Sequence, residues 1–145
     1  MFSVREEVCK IVVKKITTEE LIREGAYKSA NKELTNENFP FRVFQNSFSG
    51  EKRIRFIETH EDCYMEDILF FAKDQRFERP TYEVALLFGA QNGKRNRALC
   101  FLHKPWDEKN IVIKEEDKNK YIDLYYIYSR TIKKGSFIFP FIEEG

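Results

Sequence analysis

The pattern of apolar and polar positions divides the chain into a short helical part and a longer part with a strand-like period. Residues 8–16 are rich in β-branched side chains, which favours a first strand. Thr17 or Thr18 can then cap a helix over residues 19–34, whose apolar positions recur at helical spacing behind two early glutamates. The segment 35–40 ends this helix, because the residue before a proline avoids the helical region.

From residue 41 onward the period is near two, which predicts strands joined by turns. The predicted strands lie at 41–48, 53–56, 67–72, 82–90, 97–102, 110–113, 121–129 and 136–142. The Asn92-Gly93 pair between two apolar runs is the strongest hairpin signal, because both residues tolerate the positive φ of a tight turn. Pro140 cannot donate a hydrogen bond to a ladder, so we expect the last strand at a sheet edge.

These elements predict an α+β fold in which an N-terminal strand and helix are followed by a mainly antiparallel β-sheet of hairpins. One segment allows two interpretations. Residues 82–91 are largely apolar, and such a run is typical of a buried strand or of a buried helix. Pro80 would suit the first turn of a helix. Strand and helix therefore both stay open for this segment.

Length and composition favour an ordinary globular protein. The 145 residues fit a single domain spanning 1–145, and 42% hydrophobic with 34% charged residues is typical of a folded chain. No apolar run approaches the ~20 residues of a membrane helix, and the N-terminus has no signal-peptide pattern. We therefore expect a cytoplasmic protein without membrane contact. A net charge of +1 argues against coating nucleic acid by bulk electrostatics.

Both histidines and two of the three cysteines form the clearest chemical signature of the chain. They occur as His60-x2-Cys63 and Cys100-x2-His103, the ligand types and spacing of a structural zinc site. Residues three apart on an extended strand point to opposite faces, so Cys100 and His103 can share a metal only if the chain turns between them. The alternative is that both cysteines are small buried side chains and the histidines ordinary ones. The expected cofactor is one structural zinc ion.

Glu83 is the candidate catalytic residue if its segment is a helix. In that arrangement residues 79–85 (RPTYEVA), with Gly89, resemble the glutamate-bearing helix of TIR-like and nucleoside deoxyribosyltransferase-like domains. The resemblance implies hydrolysis of an N-glycosidic bond in NAD or a nucleoside. It also implies that Glu83 stabilises an oxocarbenium-like centre while Asp74 and Gln75 line the crevice. The alternative is a surface or cross-strand-paired Glu83.

Basic residues near the predicted hairpin tips form a candidate nucleic-acid interface. These residues are Lys52, Arg53, Arg55, Lys94, Arg95, Arg97, Lys133 and Lys134. Tips of this kind can contact phosphates, and the nearby tyrosines 125, 126 and 128 can stack on unpaired bases where they are exposed. A solvated face of mixed charge is the alternative for the basic residues, and core packing is the alternative for the tyrosines.

Several enzyme classes lack their signature in this chain. It has no Gly-rich phosphate loop, no Gly-x-Ser-x-Gly elbow and no His-Glu-x-x-His motif. The sequence therefore favours a non-enzymatic binding or regulatory module that docks on RNA or a ribonucleoprotein such as the ribosome. The alternatives are the N-glycosidic hydrolase with Glu83 and a module or inhibitor that binds a protein partner.

Overall fold

The computed structural model describes residues 1–14, 16–42, 50–92 and 97–144. The helices in this part of the chain are α1 (Thr18–Glu24), α2 (Met65–Asp74) and α3 (Tyr82–Gln91). The first strands are β1 (Phe2–Val4), β2 (Cys9–Val12), β3 (Ser29–Ala30), β4 (Glu51–Thr59) and β5 (Phe77–Glu78). They are followed by β6 (Leu99–Cys100), β7 (Lys109–Glu116), β8 (Asn119–Tyr126) and β9 (Ile138–Glu143).

These strands form one mostly antiparallel sheet in the order β1-β4-β9-β6-β7-β8-β3, with β2 beside β4 and β5 beside β9. The pairs β3–β8 and β6–β9 are parallel. The longest hairpin joins β7 to β8 through Asp117 and Lys118, which both have positive φ. The turn between these two strands therefore has two residues. The predicted α+β class, with an N-terminal strand and helix and a mainly antiparallel sheet, is confirmed.

Each face of the sheet carries its own hydrophobic core, because successive residues of a strand point to opposite sides. On β7, Ile111 and Ile113 join the core that contains α1 and α3, whereas Val112 joins the core that contains α2. We call the two sides the α3 face and the α2 face. The sheet is thus the middle layer between helices.

Helix α1 is shorter than the predicted span of 19–34. Thr17 caps it, since its hydroxyl accepts a hydrogen bond from the Glu20 amide at 3.2 Å. The helix ends at Gly25, and the next residue, Ala26, has a left-handed φ of 52°. A Cβ atom on Gly25 would lie 2.2 Å from the Tyr27 ring. This packing turns the chain toward β3, where a parallel pairing with β8 replaces further helical turns.

The predicted strand at 67–72 is wrong, since these residues belong to helix α2. Asp67 lies in its first turn, where the carboxylate accepts a hydrogen bond from the Tyr64 amide at 2.9 Å. Ile68 and Ala72 are buried while Phe70 is 76% exposed, a spacing of one helical turn. A short apolar run does not by itself distinguish these two structures.

The segment 82–91 is a helix, so the interpretation as a strand is wrong and the alternative is confirmed. The Thr81 hydroxyl caps it by accepting from the Val84 amide at 3.3 Å. Its apolar residues surround the helix because α3 packs between the sheet and α1. Asn92 ends the helix, so it does not open a hairpin between two strands. Gly93, the other half of the predicted turn, lies outside the described residues, as do residues 43–48 of the predicted strand 41–48.

Strand β9 was expected at a sheet edge but lies inside the sheet, between β4 on one side and β6 and β5 on the other. The Ile138 amide donates to the Ala98 carbonyl on the β6 side. By alternation, Pro140 faces the same side. The pairing with β6 ends before this position, and the pairing with β5 begins after it at Ile142. Proline is tolerated here because it occupies the gap between two partners.

Candidate functional site

A cleft of about 470 Å³ opens on the α3 face, where the start of α3 meets the segment after β6. It is lined by Arg79, Pro80, Thr81, Tyr82, Glu83, His103, Lys104, Pro105 and Trp106. The structure thus brings together Glu83, the candidate catalytic residue, and His103, a candidate zinc ligand. The volume lies within the ~300–1,000 Å³ typical of ligand pockets.

Hydrogen bonds to the backbone hold the walls of the cleft in place. The Arg79 guanidinium donates to the Leu102 carbonyl at 2.5 Å and to the His103 carbonyl at 3.1 Å. Burial lowers the pKa of Arg79. The Tyr82 hydroxyl donates to the Pro40 carbonyl at 2.5 Å. These contacts connect the start of α3 with both neighbouring segments, so the cleft has a defined shape without a ligand.

Among the described residues that line this cleft, Glu83 is the one carboxylate, and 7% of its surface is exposed. Its place in the first turn of α3 suits a negative charge, because the amino end of a helix dipole is positive. The carboxylate lies beside the Tyr82 hydroxyl. Burial first, and then the charge of Glu83, raise the pKa of Tyr82, while the Arg42 guanidinium opposes this rise.

His103 is 1% exposed, and the backbone engages both of its ring nitrogens. Nδ1 lies 2.7 Å from the Lys104 carbonyl, and Nε2 lies 3.0 Å from the Ile111 amide, which donates to it. These partners define the neutral tautomer with the proton on Nδ1. Burial lowers the pKa of His103 to about 4, so the ring is neutral near pH 7. The side chain shapes the cleft wall without contributing charge.

Aromatic rings line the mouth of the cleft and continue beyond it. Phe39 packs against both Tyr82 and Trp106, with ring centroids 5.3 and 5.1 Å away. The Lys109 ammonium lies 5.9 Å from the Trp106 ring centroid and 5.3 Å from that of Tyr126. The Arg130 guanidinium lies 5.6 Å from the Tyr126 centroid on the same surface. We call Trp106, Lys109, Tyr126 and Arg130 the cation–aromatic row.

The four zinc candidates do not converge. Cys63 and Cys100 belong to the core of the α2 face, whereas His103 lies in the cleft on the α3 face. Cys100 and His103 point to opposite sides because the strand-like alternation continues through Leu102. His60 is exposed, and its Nε2 lies 2.7 Å from the Ser3 hydroxyl. The described ranges contain no group of three or more metal-ligating side chains. Zinc binding itself stays a prediction of the sequence.

Acidic neighbours accompany the basic tip residues that the structure describes. Arg53 and Arg55 share Glu143 at 2.7 and 3.0 Å. Arg97 pairs with Glu58 at 3.1 Å and Lys133 with Asp62 at 3.3 Å. The Lys134 amide also donates to Asp62 at 3.0 Å, and Lys52 makes a further contact of its own. Lys94 and Arg95 lie outside the described residues. The described tips therefore carry less uncompensated charge than the sequence indicated.

The other residues that the TIR-like resemblance implies are not near Glu83. Asp74 ends α2 and lines a hollow beside Phe70, while Gln75 lines a second hollow beside Arg55. The sheet is also mainly antiparallel, whereas the resemblance implied strands whose carboxyl ends meet at one crevice. Glu83 therefore lines a cleft, but Asp74 and Gln75 do not line the same cleft.

The sequence reasoning missed Trp106, Lys109 and Arg130. Trp106 is the single tryptophan of the chain and follows a proline between the predicted strands 97–102 and 110–113. Lys109 and Arg130 are isolated basic residues and not members of a basic cluster. Tyr126 was named, and it is 45% exposed beside them. Only the pairing of β7 with β8, which places Lys109 opposite Tyr126, reveals the row.

Comparisons with known proteins add no relative for this chain. No protein-family model, no curated protein and no solved structure matches it. In the described part of the chain, no helix is long and apolar enough to span a membrane.

Proposed function

We propose that this chain is a non-enzymatic binding module that docks on single-stranded RNA, alone or within a ribonucleoprotein. In this proposal an unpaired base enters the cleft beside Trp106 and Tyr82, and the strand continues along the cation–aromatic row. Base stacking on aromatic rings contributes ~1–3 kcal/mol per base and tolerates any sequence. The observation that carries the proposal is the position of Lys109 over both the Trp106 and Tyr126 rings.

The charges beside the row support a contact with phosphates. Arg130 is exposed, and its described contact is the Tyr126 ring. Lys104 is exposed at the mouth of the cleft. Lys109 lies between Glu33 and Asp107, at 3.7 and 3.6 Å, so part of its charge is compensated. Arg130 and Lys104 are therefore the proposed phosphate contacts, in place of the ion-paired tips.

Titration of the protein with a labelled single-stranded RNA tests this function. The variant combines Tyr126→Leu with Arg130→Gln, which removes one stacking ring and one charge from the row. We expect at least a tenfold loss of affinity, because each stacked base contributes ~1–3 kcal/mol. Affinity of the wild type should also fall as salt rises, since phosphate contacts release counterions.

The matched control combines Phe70→Leu with Lys73→Gln, an exposed ring and an exposed charge on the α2 face. It should bind RNA like the wild type. A folded wild type that binds no single-stranded RNA, or a row variant with unchanged affinity, would overturn the proposal. Equal loss in the control would show that general charge, and not the row, carries the binding.

The N-glycosidic hydrolase stays a second candidate because Glu83 lines a cleft of ligand size. Incubation with NAD and with nucleosides, followed by chromatography of the released base, tests it. Activity that disappears in a folded Glu83→Gln variant would support hydrolysis. Intact substrates after prolonged incubation with the wild type would remove this candidate.

A protein partner is the third candidate, and Phe70 is the observation that favours it. Its ring is 76% exposed beside a hollow of about 240 Å³ that also includes Asp67 and Asp74. This surface suits an apolar side chain flanked by lysine or arginine. Selection of displayed peptides against the wild type, with counter-selection on Phe70→Glu, tests it. Selected peptides that lack an apolar side chain flanked by lysine or arginine would count against this candidate.

A further inference from the structure

We propose that the cleft is selective for guanine, and that the Glu83 carboxylate recognises the Watson–Crick edge of that base. This inference rests on the proposed RNA-binding function and adds the identity of the base. Glu83 is 7% exposed and lines the cleft, where its carboxylate lies beside the Tyr82 hydroxyl. An ionised carboxylate only accepts hydrogen bonds, and it therefore requires donors on the ligand.

The other polar side chains that line the inner cleft are already committed to the fold. The Thr81 hydroxyl accepts from the Val84 amide. The Tyr82 hydroxyl donates to Pro40, and both nitrogens of His103 have backbone partners. Arg79 donates to two backbone carbonyls. Among these described groups we assign the reading of the base to the Glu83 carboxylate, which lies beside the Tyr82 hydroxyl.

Guanine is the base whose edge matches a carboxylate. Its N1–H and N2 amino group are adjacent donors, so both can point to the two oxygens of Glu83. Adenine and cytosine present an acceptor beside their amino group, and uracil presents one donor between two acceptors. An acceptor facing a buried carboxylate is repelled, and both groups lose their hydrogen bonds to water. The Glu83 carboxylate would therefore favour guanine in two ways, because it binds the two donors of guanine and repels the acceptors of the other bases.

The remaining groups fit the rest of a guanosine nucleotide. Trp106 and Tyr82 provide aromatic surface for the base, and Pro80 and Pro105 complete the apolar lining. The exposed Lys104 ammonium lies at the mouth, where the phosphate of the same nucleotide would leave the cleft. The cleft thus combines aromatic surface, a carboxylate that accepts hydrogen bonds and a cation, the three kinds of group that a guanosine nucleotide can bind.

The test measures affinities for oligouridylates that carry one internal guanosine, inosine or adenosine. Calorimetry gives the constants, and fluorescence of Trp106, the single tryptophan, reports whether the base enters the cleft. We expect the guanosine oligomer to bind about tenfold or more tighter than the adenosine one, since a bidentate contact discriminates by this order. Inosine, which lacks the N2 amino group, should be intermediate.

The Glu83→Gln variant should bind all three oligomers within about threefold of each other, since an amide offers one acceptor and one donor. Circular dichroism and thermal melting show whether the variant is folded, and Glu83→Asp, which keeps the charge, should keep part of the preference. Equal affinity for the three oligomers, or a preference that Glu83→Gln does not change, would overturn the guanine inference and leave RNA binding intact. If no oligomer binds, the proposed function itself fails.

Discussion

The two faces of the sheet are built on the same strands but treat polar groups differently. The hydrophobic core of the α2 face contains the Cys63 and Cys100 thiols, whose pKa values burial raises, that of Cys63 to about 11. The other polar side chains buried on this side, Thr59 and Asn110, carry no charge. The α3 face buries the ionisable side chains of His103, Glu83 and Lys120. A buried ionisable group is costly unless it has a partner, so the α3 face depends more on specific contacts than the α2 face does.

Lys120 shows how the α3 face satisfies such a group. Its ammonium donates to the Gly89 carbonyl and, at 3.3 Å, to the Asn92 carbonyl, which are acceptors at the carboxyl end of α3. It also lies 4.7 Å from the Tyr27 ring centroid. Burial lowers the pKa of this lysine. The contacts fix the far end of α3, and the cleft occupies its near end. We therefore propose a functional site on the α3 face, where specific contacts hold the buried polar groups in place.

The largest expected effect tests packing on the α2 face. Phe141 is 1% exposed within that core, so Phe141→Ala should lower the free energy of unfolding by about 3–5 kcal/mol. Phe70→Ala, on the outer side of α2, should change it by less than about 0.5 kcal/mol. Urea unfolding of both variants measures this contrast. Comparable losses would mean that Phe70 packs against the protein in solution.

The junction of α1, α3 and β8 is the second test. A Cβ atom on Gly89 would lie 1.8 Å from the Tyr27 hydroxyl oxygen, so Gly89→Ala should destabilise the protein by about 1–3 kcal/mol through overpacking. Tyr27→Phe removes that oxygen, which has no partner among the described residues. The double variant should therefore recover part of the loss in urea unfolding. If the changes in unfolding free energy of the two single variants simply add up in the double variant, the added Cβ atom does not clash with the Tyr27 hydroxyl.

His103 should make the α3 face sensitive to acid. Its folded pKa of about 4 lies below the ordinary histidine value of 6.5, so the unfolded chain binds the proton more tightly between these two pH values. Stability is therefore full above about pH 6.5 and falls as pH decreases toward 4. The contribution of this group lost between pH 7 and pH 5 is about 2 kcal/mol.

Urea unfolding at both pH values measures this loss, with His103→Gln as the reference. The variant should be less stable at pH 7 but should lack this part of the pH dependence, because glutamine does not titrate. An identical pH dependence in the variant would show that other groups cause the acid sensitivity.

The smallest expected effect concerns the thiols and zinc. Cys63 and Cys100 are buried and Cys9 is half-buried, so a thiol reagent should modify Cys9 first and the others only on unfolding. Because His103 has no free ring nitrogen, a chelator should leave the melting temperature unchanged. Elemental analysis decides the matter directly. Stoichiometric zinc that is lost in Cys63→Ser would require a rearrangement around His103.

Sequence reasoning reached the fold class but missed the identity of two central elements. The α2 and α3 segments are short apolar runs, and their local pattern fits a buried strand as well as a helix. The helix starts carried usable information, because the Thr81 cap of α3 and the acidic Glu66 and Asp67 in the first turn of α2 are start signals for helices. Pro140 misled because the rule for edge strands assumes one partner along the whole strand, whereas β9 changes partner beside it.

The sequence by itself determined the α+β class, a threonine cap for α1, the succession of the later strands along the chain and the place of Glu83 three residues after a helix-compatible proline. These features depend on neighbours along the chain. Only the tertiary structure decided that His103 and Glu83 line the same cleft and that Cys100 lies on the other face of the sheet. It also decided that Lys109 lies between Trp106 and Tyr126, and that acids accompany the basic tips. These features depend on strand pairing across the sheet, which no local pattern specifies.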